Sequence, residues 1–324
     1  MVRNSIQQIV PNNELLSEDD MKNEDFSIAK IYNIFDKPAI EILQYLVSLN
    51  LLNNSCECLS CASNMNLIMK KKSLDGYFWK CNGCKKECSV RYDSYFDSCK
   101  KSFKLCFLFL YHWSNDMKQI EMVKELNIDK NTASDWCLDM RELCQYYFLS
   151  KDSQIGGYNS DGTRKIVEID ESLFFRRKYN RGRYKGSQWV FGGIERGTKK
   201  CFLVSVANRS RDTLMAIINK RILPGSLIIS DKWKAYDTIG EDGKYLHDSV
   251  NHSLSFVSPD DPKVHTQNIE NCWLHAKRKL KIQSGTQLHL LDGYLYEFML
   301  KFSCTNRTKI INNVIIELNK LINK

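Results

Sequence analysis

Lys165-Ile-Val-Glu-Ile-Asp170 is the first of four short runs on which the reading of the fold turns. The others are Trp189-Val-Phe-Gly-Gly-Ile194, Cys201-Phe-Leu-Val-Ser-Val206 and Ser226-Leu-Ile-Ile-Ser230. Apolar or alternating runs of this length, rich in β-branched and aromatic residues, predict strands, and Arg196-Gly-Thr198 supplies a turn between the middle two. A helical pattern between Arg211 and Ile222 separates the last two, so this half of the chain reads as α/β. Upstream the period is helical. Residues 103–148 follow it with a break near Asn127–Asp129, and Pro38–Leu52 fits one amphipathic helix with Pro at its start.

The 324 residues suffice for more than one domain, and 43% apolar with 26% charged residues is the composition of a globular chain with a sizeable core. The longest apolar run, Leu105 to Tyr111, is far below the roughly 18 residues of a spanning helix, and the N-terminus lacks a basic stretch followed by an apolar core. Neither a membrane span nor a secretion signal is therefore expected. Thirteen cysteines without an export signal read as reduced thiols or metal ligands rather than a disulfide scaffold. The net charge of +9 is concentrated in residues 161–324, which hold 28 Lys and Arg against 17 Asp and Glu, while residues 1–160 hold 19 against 21. Such a basic half suits a polyanionic partner. Residues 1–37 are polar, with an acidic cluster (Glu14, Glu18, Asp19, Asp20, Glu24, Asp25), and predict a loosely ordered leader.

Cys58-Leu-Ser-Cys61 is followed 19 residues later by Cys81-Asn-Gly-Cys84. Two such knuckles present four thiolates tetrahedrally to one Zn²⁺, and a closed four-ligand set is structural rather than catalytic. Cys56 and Cys88 lie within reach of a knuckle, and either could replace a neighbour. Met117–Leu126, Asn127-Ile-Asp129 and Lys130–Met140 have the lengths of a helix-turn-helix, with Ile120, Val123, Leu126, Ile128, Ala133 and Trp136 as its core. Any helical hairpin shares that periodicity; its place between a zinc ribbon and a basic α/β half favours DNA binding.

Three acids stand out in the basic half. Asp170 ends the first strand pattern, Asp231 follows the buried Ile228-Ile-Ser230 run, and Glu270 opens a helical pattern through Trp273, Leu274 and Lys277. Acids at strand ends plus one on a helix match the needs of a two-metal phosphoryl-transfer site, where hard oxygen ligands converge from rigid elements. Alternatively, Asp231 is an N-cap for Lys232–Tyr236 and Glu270 a favourable charge at a helix start. Lys277 lies two helical turns beyond Glu270, on its face. Between the first two strands, Arg176, Arg177, Lys178, Arg181, Arg183 and Lys185, interleaved with Tyr179 and Tyr184 and free of acids, form a loop able to neutralise phosphates and stack on bases.

Taken together, Val167-Glu-Ile-Asp-Glu-Ser172, Trp189-Val-Phe-Gly-Gly-Ile-Glu-Arg196, Ile229-Ser-Asp-Lys-Trp-Lys-Ala-Tyr236, Val250-Asn-His-Ser253 and Val264-His-Thr-Gln-Asn-Ile-Glu-Asn-Cys-Trp273 resemble the DDE transposases of the Merlin superfamily and their bacterial insertion-sequence relatives. The order of a short helix, a ribbon, a helix-turn-helix and these motifs extends the resemblance to most of the chain from residue 38 onward. It implies an RNase H-like α/β catalytic domain over 160–300, preceded by a helix plus zinc ribbon over 38–95 and a helix-turn-helix DNA-binding region over 96–150, with a helical tail over 301–324. It also implies Asp170, Asp231 and Glu270 as catalytic ligands of two Mg²⁺ or Mn²⁺ ions, with Asn268 or His265 as weaker candidates for the third position. His252 and His265 are candidates to position a phosphate or water.

The activity implied is cleavage at transposon ends and transfer of the freed 3′-hydroxyls into double-stranded target DNA, by a homo-oligomer. It would act in the nucleus of a eukaryotic host and otherwise in the cytoplasm. A domesticated DNA-binding regulator that cuts nothing and a metal-dependent DNase or RNase H-like nuclease are the rival readings.

Overall fold

The computed structural model describes residues 6–150, 153–175, 187–250, 264–282, 286–304 and 306–322. Two compact units result, residues 1–137 with 306–324 and residues 138–305. The first begins with three helices, α1 (Glu18–Asn23), α2 (Ile28–Phe35) and α3 (Ala39–Ser48). A three-stranded antiparallel sheet of β1 (Met65–Met69), β2 (Tyr77–Cys81) and β3 (Glu87–Ser89) follows. Next come α4 (Phe103–Ser114), α5 (Gln119–Glu125) and α6 (Lys130–Ser150).

The segment expected to be a loosely ordered leader instead folds from residue 6 onward. Its acids cap α1: Ser17 and Asp20 exchange hydrogen bonds in a capping box, and Glu18, Asp19 and Asp20 occupy the positive end of the helix dipole. Met21, Phe26, Ile31, Ile34 and Phe35 are buried. The chain's last described helix, Arg307–Ile322, packs in this same unit: the Asn312 side-chain amide donates to the Met21 and Glu24 carbonyls, and that of Asn319 to the Leu49 carbonyl. The helices expected for a helix-turn-helix are α5 and α6, but α6 runs on to Ser150, and Val123 and Trp136 of the expected core are only half-buried. Ile120 is 64% exposed, and Met122 takes the inward position beside Leu126, Ile128 and Ala133.

The second unit contains β4 (Ile155–Gly156), β5 (Ile166–Phe174), β6 (Gln188–Glu195), β7 (Cys201–Val206), α7 (Arg211–Arg221), β8 (Ile222–Leu223), β9 (Leu227–Asp231), β10 (Leu246–Val250), α8 (Gln267–Ile282) and α9 (Leu291–Ser303), leaving α10 for Arg307–Ile322. Five strands form a mixed sheet in the order β10-β9-β5-β6-β7, in which β5, β6 and β7 are antiparallel neighbours and β9 runs parallel to both β5 and β10. The four runs read as strands are β5, β6, β7 and β9. All five strands supply buried residues, among them Val167, Ile169, Val190, Phe191, Leu203, Ile228, Ile229 and Val250. Among the described residues no helix is long and apolar enough to cross a membrane.

Candidate functional site

The four knuckle cysteines converge. The sulfurs of Cys58, Cys61, Cys81 and Cys84 all lie within 4.8 Å of one another, with Cys58–Cys84 at 3.3 Å and Cys61–Cys81 at 3.4 Å. Four sulfurs about 2.3 Å from a tetrahedral zinc would stand roughly 3.8 Å apart, so the cluster fits one Zn²⁺ after a small expansion. Cys81 ends β2, and Gly83 fits between the sulfurs, 3.7 Å from those of Cys61 and Cys81 at its absent Cβ. Cys56 and Cys88 pair with each other at 3.4 Å, outside the four.

The acids sit on the five-stranded sheet. Asp170 is central in β5 and Asp231 is the last residue of β9; continuing the parallel register of Glu168 with Ile229 sets the two side by side on one face. Burial, with Glu171 and then Asp231 close by, pushes the Asp170 carboxyl up to about 7. Glu171, on the opposite face, is also raised by burial, and accepts the Tyr236 hydroxyl at 2.5 Å. The Trp233 backbone N–H donates to Asp231 at 3.1 Å.

α8 covers the Asp170 face. The Trp273 indole N–H donates to Asp170 at 3.0 Å, and its ring lies where a side chain on Gly192 would be, 2.6 Å from the ideal Cβ. Gly192 is the strand partner of Asp170, so the glycine in Trp189-Val-Phe-Gly-Gly-Ile194 lets the indole approach the acid. One helical turn before Trp273 is Glu270, exposed in the first turn of α8 and accepting from the Thr266 hydroxyl at 3.3 Å. One turn after it is Lys277, whose ammonium stands 5.3 Å from the Phe174 ring; burial lowers its pKa against the opposing pull of Asp170. Asp170, Trp273 and Lys277 are thus neighbours. The carboxylate oxygens of Asp170, Asp231 and Glu270 do not all lie within 4.8 Å of one another.

Sequence reasoning passed over Glu168, two residues before Asp170 on the same face and fully buried. One carboxylate oxygen accepts the Asn268 and Ile269 backbone N–H groups at 2.8 and 3.1 Å, so it caps α8 from a strand 100 residues away. The other accepts Arg196 Nε at 2.5 Å and Asn268 Nδ2 at 2.6 Å; His265 Nδ1, which accepts the Gln267 N–H, lies 3.4 Å from it, and Arg196 also donates to the His265 carbonyl at 2.7 Å. Asn268 and His265, the weaker candidates for the third position, therefore lie at Glu168. An acid inside a buried strand, at the alternation that places it beside Asp170, was the available signal. Glu168→Gln presents a donor where four donors converge, and is expected to cost about 2 kcal/mol of stability. Chemical denaturation beside Glu171→Gln checks it, since the Glu171 carboxylate accepts the Tyr236 hydroxyl rather than an array of N–H groups.

The loop bearing Arg176, Arg177, Lys178, Arg181, Arg183 and Lys185, and His252, lie outside the described residues.

Residues 163–303, which contain the sheet, the acids and α8, match the ISXO2-like transposase domain. A transposase-like protein of uncharacterized role from Haemophilus influenzae is 30% identical over 104 residues, which are 32% of this chain and 81% of that protein. The chain belongs to this family of transposases.

Proposed function

We propose that the protein is a DNA transposase that cuts at the ends of its element and joins the freed 3′-hydroxyls to target DNA, with Asp170, Asp231 and Glu270 as its catalytic acids. The observation that carries this reading is the pair Asp170 and Asp231 on adjacent strands, with Glu171 close by, where Asp170 is relieved by the Glu171 backbone N–H and then by the Trp273 indole N–H. Such a pair fits a hard divalent cation. The strand order and directions support an RNase H-like reading of the sheet, and α8 carries Glu270 toward the same face.

Two Mg²⁺ or Mn²⁺ ions, when bound, would supply charge for the attacking and leaving oxygens of an in-line displacement. Asp170 and Asp231 hold the inner side of that site and Glu270 the helix side. Trp273 orients Asp170, Lys277 offers its ammonium to a DNA phosphate, and Glu168 is a positioning residue that fixes the start of α8. In the first step water displaces a 3′-oxygen from phosphorus at the element end. In the second, that 3′-oxygen attacks a target phosphodiester, forming one P–O bond as another breaks.

The zinc-bound ribbon and the α5–α6 pair would recognise the element ends, and the basic loop from Arg176 to Lys185 the backbone. Synapsis of two ends calls for a homo-oligomer. A Merlin-type placement of the chain, with action in the nucleus, applies in a eukaryotic host, and action in the cytoplasm in any other.

The test is cleavage and joining of labelled duplexes carrying the flanking element ends, with Mg²⁺ or Mn²⁺, by the native protein and Asp231→Asn. Metal-dependent cleavage and joining that fall at least about a thousandfold in the variant are expected, equivalent to several kcal/mol of transition-state stabilisation. Tight binding by the zinc-loaded, folded protein without cleavage under either metal would overturn the reading in favour of a DNA-binding regulator.

A further inference from the structure

Two residues beyond Asp231, Trp233 is 41% exposed, although a tryptophan in water forfeits a large apolar area. It is held in place. Its backbone N–H is tied to Asp231, and the Arg209 guanidinium stacks over its ring at 4.9 Å. The same guanidinium lies over the ring of Trp189, in β6, at 3.8 Å, so one cation contacts both indoles. Arg209 is also close enough to Glu171, on the sheet face opposite Asp170, to oppose its raised pKa, and Trp233 itself is the tie to the acids through its bond to Asp231. Lys232 and Lys234, both exposed, flank Trp233.

A lone exposed aromatic on a surface needs no explanation. A preorganised aromatic backed by a guanidinium that also contacts a second indole, flanked by lysines and tied to Asp231, has the chemistry of a base-stacking platform. We propose that Trp233 stacks on an unpaired nucleobase of the DNA end beside the phosphate to be cut, with Arg209, Lys232 and Lys234 neutralising the neighbouring phosphates. A base leaves the duplex stack at a cost of a few kcal/mol, and a ready aromatic face offsets that cost. The proposal rests on the transposase reading for the position of the phosphate.

The experiment measures binding of the full-length zinc-loaded protein to two fluorescein-labelled duplexes from the element end, one with a single unpaired base at the cleavage position and one with an abasic site there. Native protein is expected to favour the unpaired base by about tenfold to a hundredfold. Trp233→Ala should bind both duplexes alike, and Trp233→Phe should keep most of the preference; because Trp233 is exposed, both variants are expected to fold, which circular dichroism verifies. Native protein that cleaves yet shows no preference, or a preference unchanged in Trp233→Ala, would overturn the stacking role and leave the transposase reading intact. A preference lost in Trp233→Ala, with no cleavage under any metal, would sustain the stacking role and overturn the transposase reading.

Discussion

Removing zinc is expected to unfold the ribbon from Cys56 to Ser89 while the five-stranded sheet stays folded. The strands β1, β2 and β3 have five, five and three residues, and the buried side chains of this segment are few: Met65, Leu67, Trp79, Cys58 and Cys81 with the polar Asn66. A sheet this small lacks the apolar area to offset the conformational entropy of ordering its chain. Structural zinc contributes about 10–16 kcal/mol in comparable small sites, far more than such a core, and that energy is folding energy because the unfolded chain has no assembled site. Hydrogen exchange at Met65–Met69 and Tyr77–Cys81 should therefore become fast after chelation, while β5 and β6 stay protected. Cys81→Ser should reproduce the loss of zinc and of protection. Cys56→Ser should retain both, since the Cys56 and Cys88 sulfurs face each other rather than the four. Protection that survives verified zinc loss would show that the ribbon stands without the metal.

What could be read from sequence divides according to how local its cause is. The strands β5, β6, β7 and β9 announced themselves because each buries a continuous run. β10 did not: Leu246-His-Asp-Ser-Val250 is an edge strand with a single buried side chain, Val250, and its polar sequence follows from that position. The two CxxC knuckles were legible because metal geometry constrains their spacing. The folded state of residues 6–37 was not, since α1 packs against α10, almost 300 residues later, and Phe26 and Phe35 pack on Phe107.

The candidate site shows the same division. Asp170 and Asp231 could be proposed as acids closing apolar runs; β5 in fact continues past Asp170 to Phe174, and it is the parallel register with β9, not a shared strand end, that sets the two side by side. Glu168 looked like an ordinary polar interruption of a strand; its meaning depends on the start of α8, which no local pattern links to it. Arg209 belongs to no motif of its own, and only the fold brings it over two tryptophans that are 44 residues apart in sequence.

Asp170→Asn is expected to stabilise the metal-free protein above pH 7 even as it removes the proposed activity. An aspartate in an unfolded chain titrates near 3.8, whereas burial beside Glu171 and Asp231 raises Asp170 to about 7 in the folded protein. Between those values the native state holds a proton that the unfolded state has released. Stability therefore falls as pH rises through this window, and the loss is complete above the folded value. About three units of pKa correspond to a penalty of about 4 kcal/mol at pH 8. Asparagine is neutral at every pH and keeps a side-chain oxygen for the Trp273 N–H, so it escapes the penalty and also relieves Asp231 of a neighbouring charge. Denaturation in chelator-treated buffer should find the variant more stable than native protein at pH 8 and nearly equal to it at pH 4, with zinc content held constant. Millimolar Mn²⁺ should then raise the melting temperature of native protein more than that of the variant, because only the native site gains a cation in exchange for its repulsion. A variant less stable than native protein at pH 8 without divalent metal would mean that Asp170 is held by favourable contacts in the folded chain, and the case for a cation between Asp170 and Asp231 would lose its electrostatic basis.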